Sequence, residues 1–193
     1  MIEEVLVRSE VRGYSRQEQN QDYLVRYPNE NLVLRTLLLS DLCLVSSWFN
    51  QERMKFFRDN CENRCSTEEL FDSLFNRANK TDLSLIVEDR FNEKPIGYCS
   101  IYDIEEYKSA EISFLIGVQS YWGYGYGSQI VKSLSEFAKK ELYLDHLVAT
   151  VISENFLSLN CLEKNGFKKR GINRNSVILG SNLYHHITMM KKL

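Results

Sequence analysis

The chain has 193 residues, 44% of them apolar and 26% charged, with 11 tyrosines, 10 phenylalanines and a formal net charge of −2. That length and composition fit one globular domain able to bury its own core and exclude a disordered chain. The near-neutral charge leaves no electrostatic footprint for nucleic acid or an anionic membrane, and no apolar run approaches the roughly 18 residues needed to cross a bilayer.

The chain starts Met1-Ile2-Glu3-Glu4, without the charged-then-apolar layout of a signal peptide, so a cytoplasmic location is expected. Residues 1–30 are polar and read as an N-terminal extension, packed on the domain or at a homodimer contact, with edge-strand signals at Val5-Leu6-Val7 and Tyr23-Leu24-Val25. Residues 31–193 read as the domain proper. Asn31 to Leu37 predicts a strand, and Ser40-Asp41 predicts the N-cap of a helix carrying Leu42, Leu44, Val45, Trp48 and Phe49. A short turn over Met54 to Phe57 and a polar loop from Arg58 to Arg64 follow. Ser66 and Glu69 have capping-box spacing and open a helix to about Asn79.

Leu83 to Glu88 and Ile96 to Tyr102 predict a hairpin, and Ala110 to Val118 the next strand. A helix with apolar positions Ile130, Val131, Leu134, Phe137, Ala138 and Leu142 comes next, followed by Leu147 to Ile152, apolar on both alternations like a central strand. Phe156 to Lys164 predicts a short helix stopped by Asn165-Gly166, and two last strands complete an α/β fold with a mixed sheet flanked by helices. Cys43, Cys61, Cys65, Cys99 and Cys161 have no framework spacing, and adjacent His185 and His186 would point opposite ways in a strand, so no metal site is expected.

Between strand and helix lies Tyr121-Trp122-Gly123-Tyr124-Gly125-Tyr126-Gly127-Ser128. Glycines let a backbone turn tightly and approach a ligand, and a helix N-terminus points unpaired N–H groups at whatever lies in the turn, so an anion such as a phosphate is the expected guest. No lysine follows Gly127 until Lys132, which excludes a P-loop, and the G-x-G-x-G spacing after three meandering strands does not fit a dinucleotide fingerprint. The alternative is a structural turn whose tyrosines pack locally.

This loop resembles the acyl-CoA loop of the GNAT superfamily of N-acetyltransferases, with Gly125 and Gly127 in the last two motif positions and Trp122 where arginine or glutamine is usual. A second motif agrees in register: Asn155-Phe156-Leu157-Ser158 followed by Leu162-Glu163-Lys164-Asn165-Gly166-Phe167. Tyr121-Trp122-Gly123 and the opening Leu34-Arg35-Thr36 are similar to the branch of ribosomal-protein N-terminal acetyltransferases, and the likeness covers about 31–193.

The resemblance implies a GNAT-type fold with splayed central parallel strands and acetyl-CoA as cosubstrate. It places main-chain groups of Ile116 and Val118 on the pantetheine arm. Trp122, Gly123, Tyr124, Gly125, Tyr126, Gly127 and Ser128 fall at the diphosphate, with the Val118 N–H or a neighbour as oxyanion donor. Asn155 is the implied partner of a pantetheine amide and Ser158 reaches toward the thiol; capping a helix is the simpler role for Asn155. Glu111 stands where the branch often carries a glutamate base, the alternative being a solvent-facing strand carboxylate. Leu162 occupies the place of a tyrosine acid, so the thiolate takes its proton from Ser158, Cys161 or water, or leaves unaided.

The expected reaction is acetyl transfer from acetyl-CoA to a primary amine, a protein N-terminal α-amine foremost. A small-molecule amine and a non-catalytic acyl-CoA module are the alternatives. Substrate choice is expected between Trp48 and Asn79 and in the late hairpin around Arg174–Asn182, where no cluster of carboxylates suited to a polyamine or aminoglycoside gathers.

Overall fold

A computed structural model of the chain describes residues 24–26, 31–51, 54, 66–76, 82–104, 108–179 and 181–193. The strand expected at Val5–Val7, the loop Arg58–Arg64 and the rest of the Met54 to Phe57 turn lie outside the described residues.

The elements in chain order are β1 (Leu24–Arg26), β2 (Leu32–Thr36), α1 (Leu42–Phe49), α2 (Thr67–Phe71), β3 (Leu83–Asp89), β4 (Lys94–Tyr102), β5 (Ser109–Ile116), α3 (Tyr126–Lys140), β6 (His146–Ile152), α4 (Phe156–Lys164), β7 (Lys168–Leu179) and β8 (Asn182–Lys192). They build an eight-stranded sheet in the order β1-β2-β3-β4-β5-β6-β8-β7. Strands β1 to β5 form an antiparallel meander. The one parallel contact, β5 to β6, is made across α3, and β6, β8 and β7 are again antiparallel.

Both faces of the sheet are covered because alternate β5 side chains point to opposite sides. Ala110 and Ile112 join the larger core with Ile130, Val131, Leu134, Phe137 and Ala138, the apolar stripe of α3, and with Leu162 of α4. Leu115 packs on the other side, where Leu42, Val45 and Trp48 of α1 meet Leu70 of α2, Ile86 and Tyr98. The outer surface of α3 carries Lys132, Glu136 and Lys140, whose exposed i, i+4 pairs add little stability.

Three local expectations change. Asp41 is not a side-chain cap for α1. A 3₁₀ turn over Leu39–Asp41 precedes the helix, and the Asp41 carboxylate accepts the Leu38 N–H at 2.8 Å and a two-pronged contact from Arg35 at 2.6 and 2.9 Å. Arg35 also donates to Glu88 at 2.6 Å. A charged fork within reach is a stronger partner than one helix N–H, which explains the reassignment. Burial pushes the Asp41 carboxyl up, but the bonds from Arg35 and Leu38 and the Arg35 charge outweigh it and hold its pKa below the ordinary value.

The helix opened by Ser66 keeps its reciprocal cap, Ser66 N–H to Glu69 at 2.9 Å and Glu69 N–H to Ser66 Oγ at 3.1 Å. It then widens into a π-type turn over Asp72–Asn76, and the predicted stretch 77–79 lies outside the described residues. The β3–β4 connection is also tighter than expected, because the Asp89 carboxylate accepts the Phe91 N–H and the Asn92 amide and closes the turn.

Candidate active site

Strands β5 and β6 pair over three positions only: Ser109 with His146, Ala110 with Leu147 and Glu111 with Val148. Beyond Glu111, β5 stays on β4 as far as Ile116 while β6 stays on β8 as far as Ile152, so the two strands part. A cavity of about 560 Å³ fills the wedge, lined on one side by Ile112–Ile116 and on the other by Ala149–Ile152. Edge backbone groups released by such a parting are ready-made hydrogen-bonding partners for an extended polar ligand. Glu111 sits at the apex.

The glycine turn closes the wide end. Gly123 and Gly125 adopt φ of +83° and +86°, a conformation that residues with a Cβ rarely reach, and nothing lies within 4 Å of where a Cβ would be. Gly125 is the N-cap of α3 without a side-chain cap, and the first helical bond from its carbonyl goes to Gln129 N–H at 3.1 Å. The N–H groups of Tyr126, Gly127 and Ser128 precede that bond and point out of the helix end, where the dipole favours an anion. Trp122, Gly123, Gly125, Tyr126, Gly127 and Ser128 all line the cavity; Tyr124, 76% exposed, faces outward. Gly127 has a different role, since a Cβ there would come to 3.0 Å from the Cys161 sulfur, which would have to give by a few tenths of an ångström.

Three contacts that the sequence reading missed hold this loop. The Trp122 indole N–H donates to the Ile116 carbonyl at 2.8 Å, tying the loop to the end of β5. The Tyr121 hydroxyl donates to Asp89 at 2.8 Å, and the Tyr121 ring meets Tyr126 edge to face with centroids 5.2 Å apart. Asp89 is only 4% exposed. Burial raises its carboxyl, but bonds from the Phe91 N–H, Tyr121 and Asn92 outweigh this and keep its pKa below the ordinary value. Val118 is placed differently from Ile116: its N–H donates to the Ile96 carbonyl at 3.2 Å and its carbonyl accepts the Tyr121 N–H at 3.1 Å. The fold itself therefore engages both of its main-chain groups.

On the β6 side, Asn155 caps α4, its Oδ1 accepting the Ser158 N–H at 3.1 Å, while Asn155, Ser158 and Cys161 all border the cavity. Leu162 is fully buried in the main core, so α4 turns Ser158 and Cys161 to the wedge and its leucine away from it. Burial pushes the Cys161 thiol up and keeps it protonated near neutrality.

Below the apex, Phe49, Met54, Tyr98, Tyr102, Glu111, Ser113 and Leu115 form the wall nearest α1. Tyr102 lies directly opposite Glu111 across the strand pair. Burial, the Glu111 charge and a hydrogen bond to Glu111 raise the Tyr102 pKa, so it stays a neutral phenol facing the carboxylate. The Ser100 and Ser113 hydroxyls are bonded at 2.7 Å and those of Ser84 and Tyr98 at 3.0 Å. The alternation Tyr98-x-Ser100-x-Tyr102 is the sequence signal that marks this wall: a strand face polar and aromatic beneath packed helices has something to bind.

The family model described as "Acetyltransferase (GNAT) domain" matches residues 31–168. The chain belongs to the GNAT acetyltransferase family. This GNAT chain is an acetyl-CoA-dependent N-acetyltransferase with a mixed α/β fold. It is 31% identical over 153 residues to the uncharacterized N-acetyltransferase p20 of Bacillus licheniformis, covering 75% of this chain and 83% of that one. In structure it resembles the spermidine N-acetyltransferase of Vibrio cholerae in complex with CoA and spermine, with TM-score 0.73, 20% identity and coverage of 85% of this chain and 96% of the other. It also resembles the ribosomal-protein-S5-alanine acetyltransferase of Vibrio fischeri, with TM-score 0.67, 19% identity and coverage of 89% and 97%. Among the described residues, no group of three or more His, Cys, Asp or Glu side chains gathers to hold a metal, and no helix is long and apolar enough to cross a membrane.

Proposed function

We propose that this GNAT enzyme acetylates a singly charged primary amine, foremost the α-amine of a protein N-terminus, with Glu111 as the general base. The observation that carries the reading is the placement of Glu111 at the apex, the only carboxylate among the described residues lining the cavity. A polyamine needs several carboxylates along its length, whereas one carboxylate beside Phe49, Tyr98 and Tyr102 suits a single ammonium with a short apolar or peptide continuation.

In this reading the pantetheine arm lies between β5 and β6, reaching the main chain of Ile116 and the amide of Asn155, and the diphosphate rests on Gly123 to Ser128. Glu111, held by the Tyr102 phenol, takes a proton from the ammonium, and the neutral nitrogen attacks the thioester carbonyl carbon. A C–N bond forms, the oxygen carries the negative charge, and collapse breaks the C–S bond to release CoA thiolate while the nitrogen sheds its second proton to water. With Leu162 buried, the thiolate takes its proton from Ser158 or water, or leaves unprotonated, because its pKa is near 8.5.

Thiol release from acetyl-CoA is measured against a panel of N-terminal peptides, amino sugars, aminoglycosides and spermidine. Peptide turnover well above that of the other amines is expected. Preference for spermidine, to which the Vibrio cholerae relative owes its name, overturns the choice of acceptor, as does turnover of none of the peptides.

A further inference from the structure

We infer that Asn165 is a positioning residue for acetyl-CoA: its side-chain amide turns the Ser128 hydroxyl into a donor aimed at the diphosphate. The inference rests on the placement of the diphosphate at the N-terminus of α3. Asn165 Nδ2 lies 2.8 Å from the Cys161 carbonyl, 3.0 Å from the Ser128 carbonyl and 2.9 Å from Ser128 Oγ. Two of those partners are carbonyl oxygens, which only accept, so the group between them is the NH₂ end of the amide. An amide NH₂ offers no lone pair, and the Ser128 hydroxyl hydrogen must point away from it.

A second observation gives that hydrogen its direction. Helical serines commonly return their proton to a carbonyl one turn back, as Ser135 does to Val131 at 2.8 Å. Among the described residues no acceptor takes the Ser128 hydroxyl proton, and Ser128 lines the cavity at the first turn of α3. The proton is directed into the space in front of the unpaired N–H groups. A hydroxyl whose oxygen already accepts a bond is also a better donor, since hydrogen bonds in a chain polarise one another. Asn165 reaches this point because it is the C-cap of α4 and bridges the end of that helix to the start of α3. It contributes a role to the second motif that capping by Gly166 does not use.

The test compares two acetyl donors, acetyl-CoA and acetyl-pantetheine, which lacks the diphosphate, in wild type, Ser128→Ala, Asn165→Leu and the double variant. Loss of one hydrogen bond to an ionised group predicts a KM for acetyl-CoA raised about tenfold in either single variant at unchanged kcat. In the Ser128→Ala background Asn165→Leu is expected to add less than about twofold, because residues acting through one contact are not additive. Acetyl-pantetheine kinetics are expected to be the same in all four proteins. Asn165→Ala gives the same readout should the leucine variant not fold. Equal losses with both donors, or a double variant whose KM change is the product of the singles, would overturn the role of Asn165. A wild type that does not distinguish the two donors rejects the diphosphate placement itself, and the inference with it.

Discussion

Glu111 and Gly125 define the two ends of the wedge, and each is sensitive to a change of a few atoms. Glu111→Gln keeps the shape and the hydrogen bond from Tyr102 but removes the base, so kcat is expected to fall by about two to four orders of magnitude with the KM for acetyl-CoA unchanged. An unaltered rate with an identified amine rejects the assignment. Gly125→Val places a β-branched residue at φ +86° and sets its side chain in the open space in front of the helix end. The strain is on the order of 1–3 kcal/mol, and titration calorimetry is expected to show no CoA binding at concentrations that saturate wild type. At this scale motif spacing singles out the glycines, Asn155 and Ser158, and family resemblance singles out Glu111; all of them line the cavity. Asp89, Tyr102 and Asn165 were not legible, since each acts through a partner 32, 9 or 37 positions away, at Tyr121, Glu111 and Ser128 respectively. Asp41 differs for another reason: its local cap signal gives way to the charged fork of Arg35, six positions back on β2.

Elements are held together by a few charged contacts that tie strands to loops. Arg35 of β2 joins Asp41 before α1 to Glu88 of β3, so it fixes where α1 begins on the sheet. Arg35→Leu leaves two partly buried carboxylates without their cation, and a loss of about 2–3 kcal/mol is expected, read as a lower denaturant midpoint at unchanged slope. Asp41 and Asp89 both have depressed carboxyl pKa values in the folded chain. The unfolded state therefore binds protons first as pH falls. Their contribution is complete above the ordinary value of 3.8 and is lost as pH falls through the lower folded values. Asp89→Asn is expected to lower stability at neutral pH yet flatten its decline below about pH 4, as followed by fluorescence-detected unfolding. Helices α3 and α4 were readable in the sequence because apolar period and end signals agree. The helix after Ser66 was readable only at its start, where the reciprocal cap lies.

Over the whole molecule, a ligand seated in the wedge would bridge β5 and β6, two strands that pair directly at only three positions. Free CoA at about 100 times its Kd is expected to add about 2.7 kcal/mol and raise Tm by roughly 5–10 °C, measured as a concentration-dependent thermal shift. The parting of β5 and β6 has a further consequence for kinetic order. The cavity is lined by Phe49 and Tyr98 from the α1 side and by Gly127, Ala149 and Cys161 from the α3 side. In the proposed reading donor and acceptor each occupy their own half at the same time. Among the described residues, the cysteine that lines the cavity is Cys161, kept protonated by burial and packed beside Gly127, a poor site for an acyl-enzyme. Initial-rate lines for the two substrates should therefore intersect rather than run parallel, and no acetyl exchange between CoA species should occur until an amine is added.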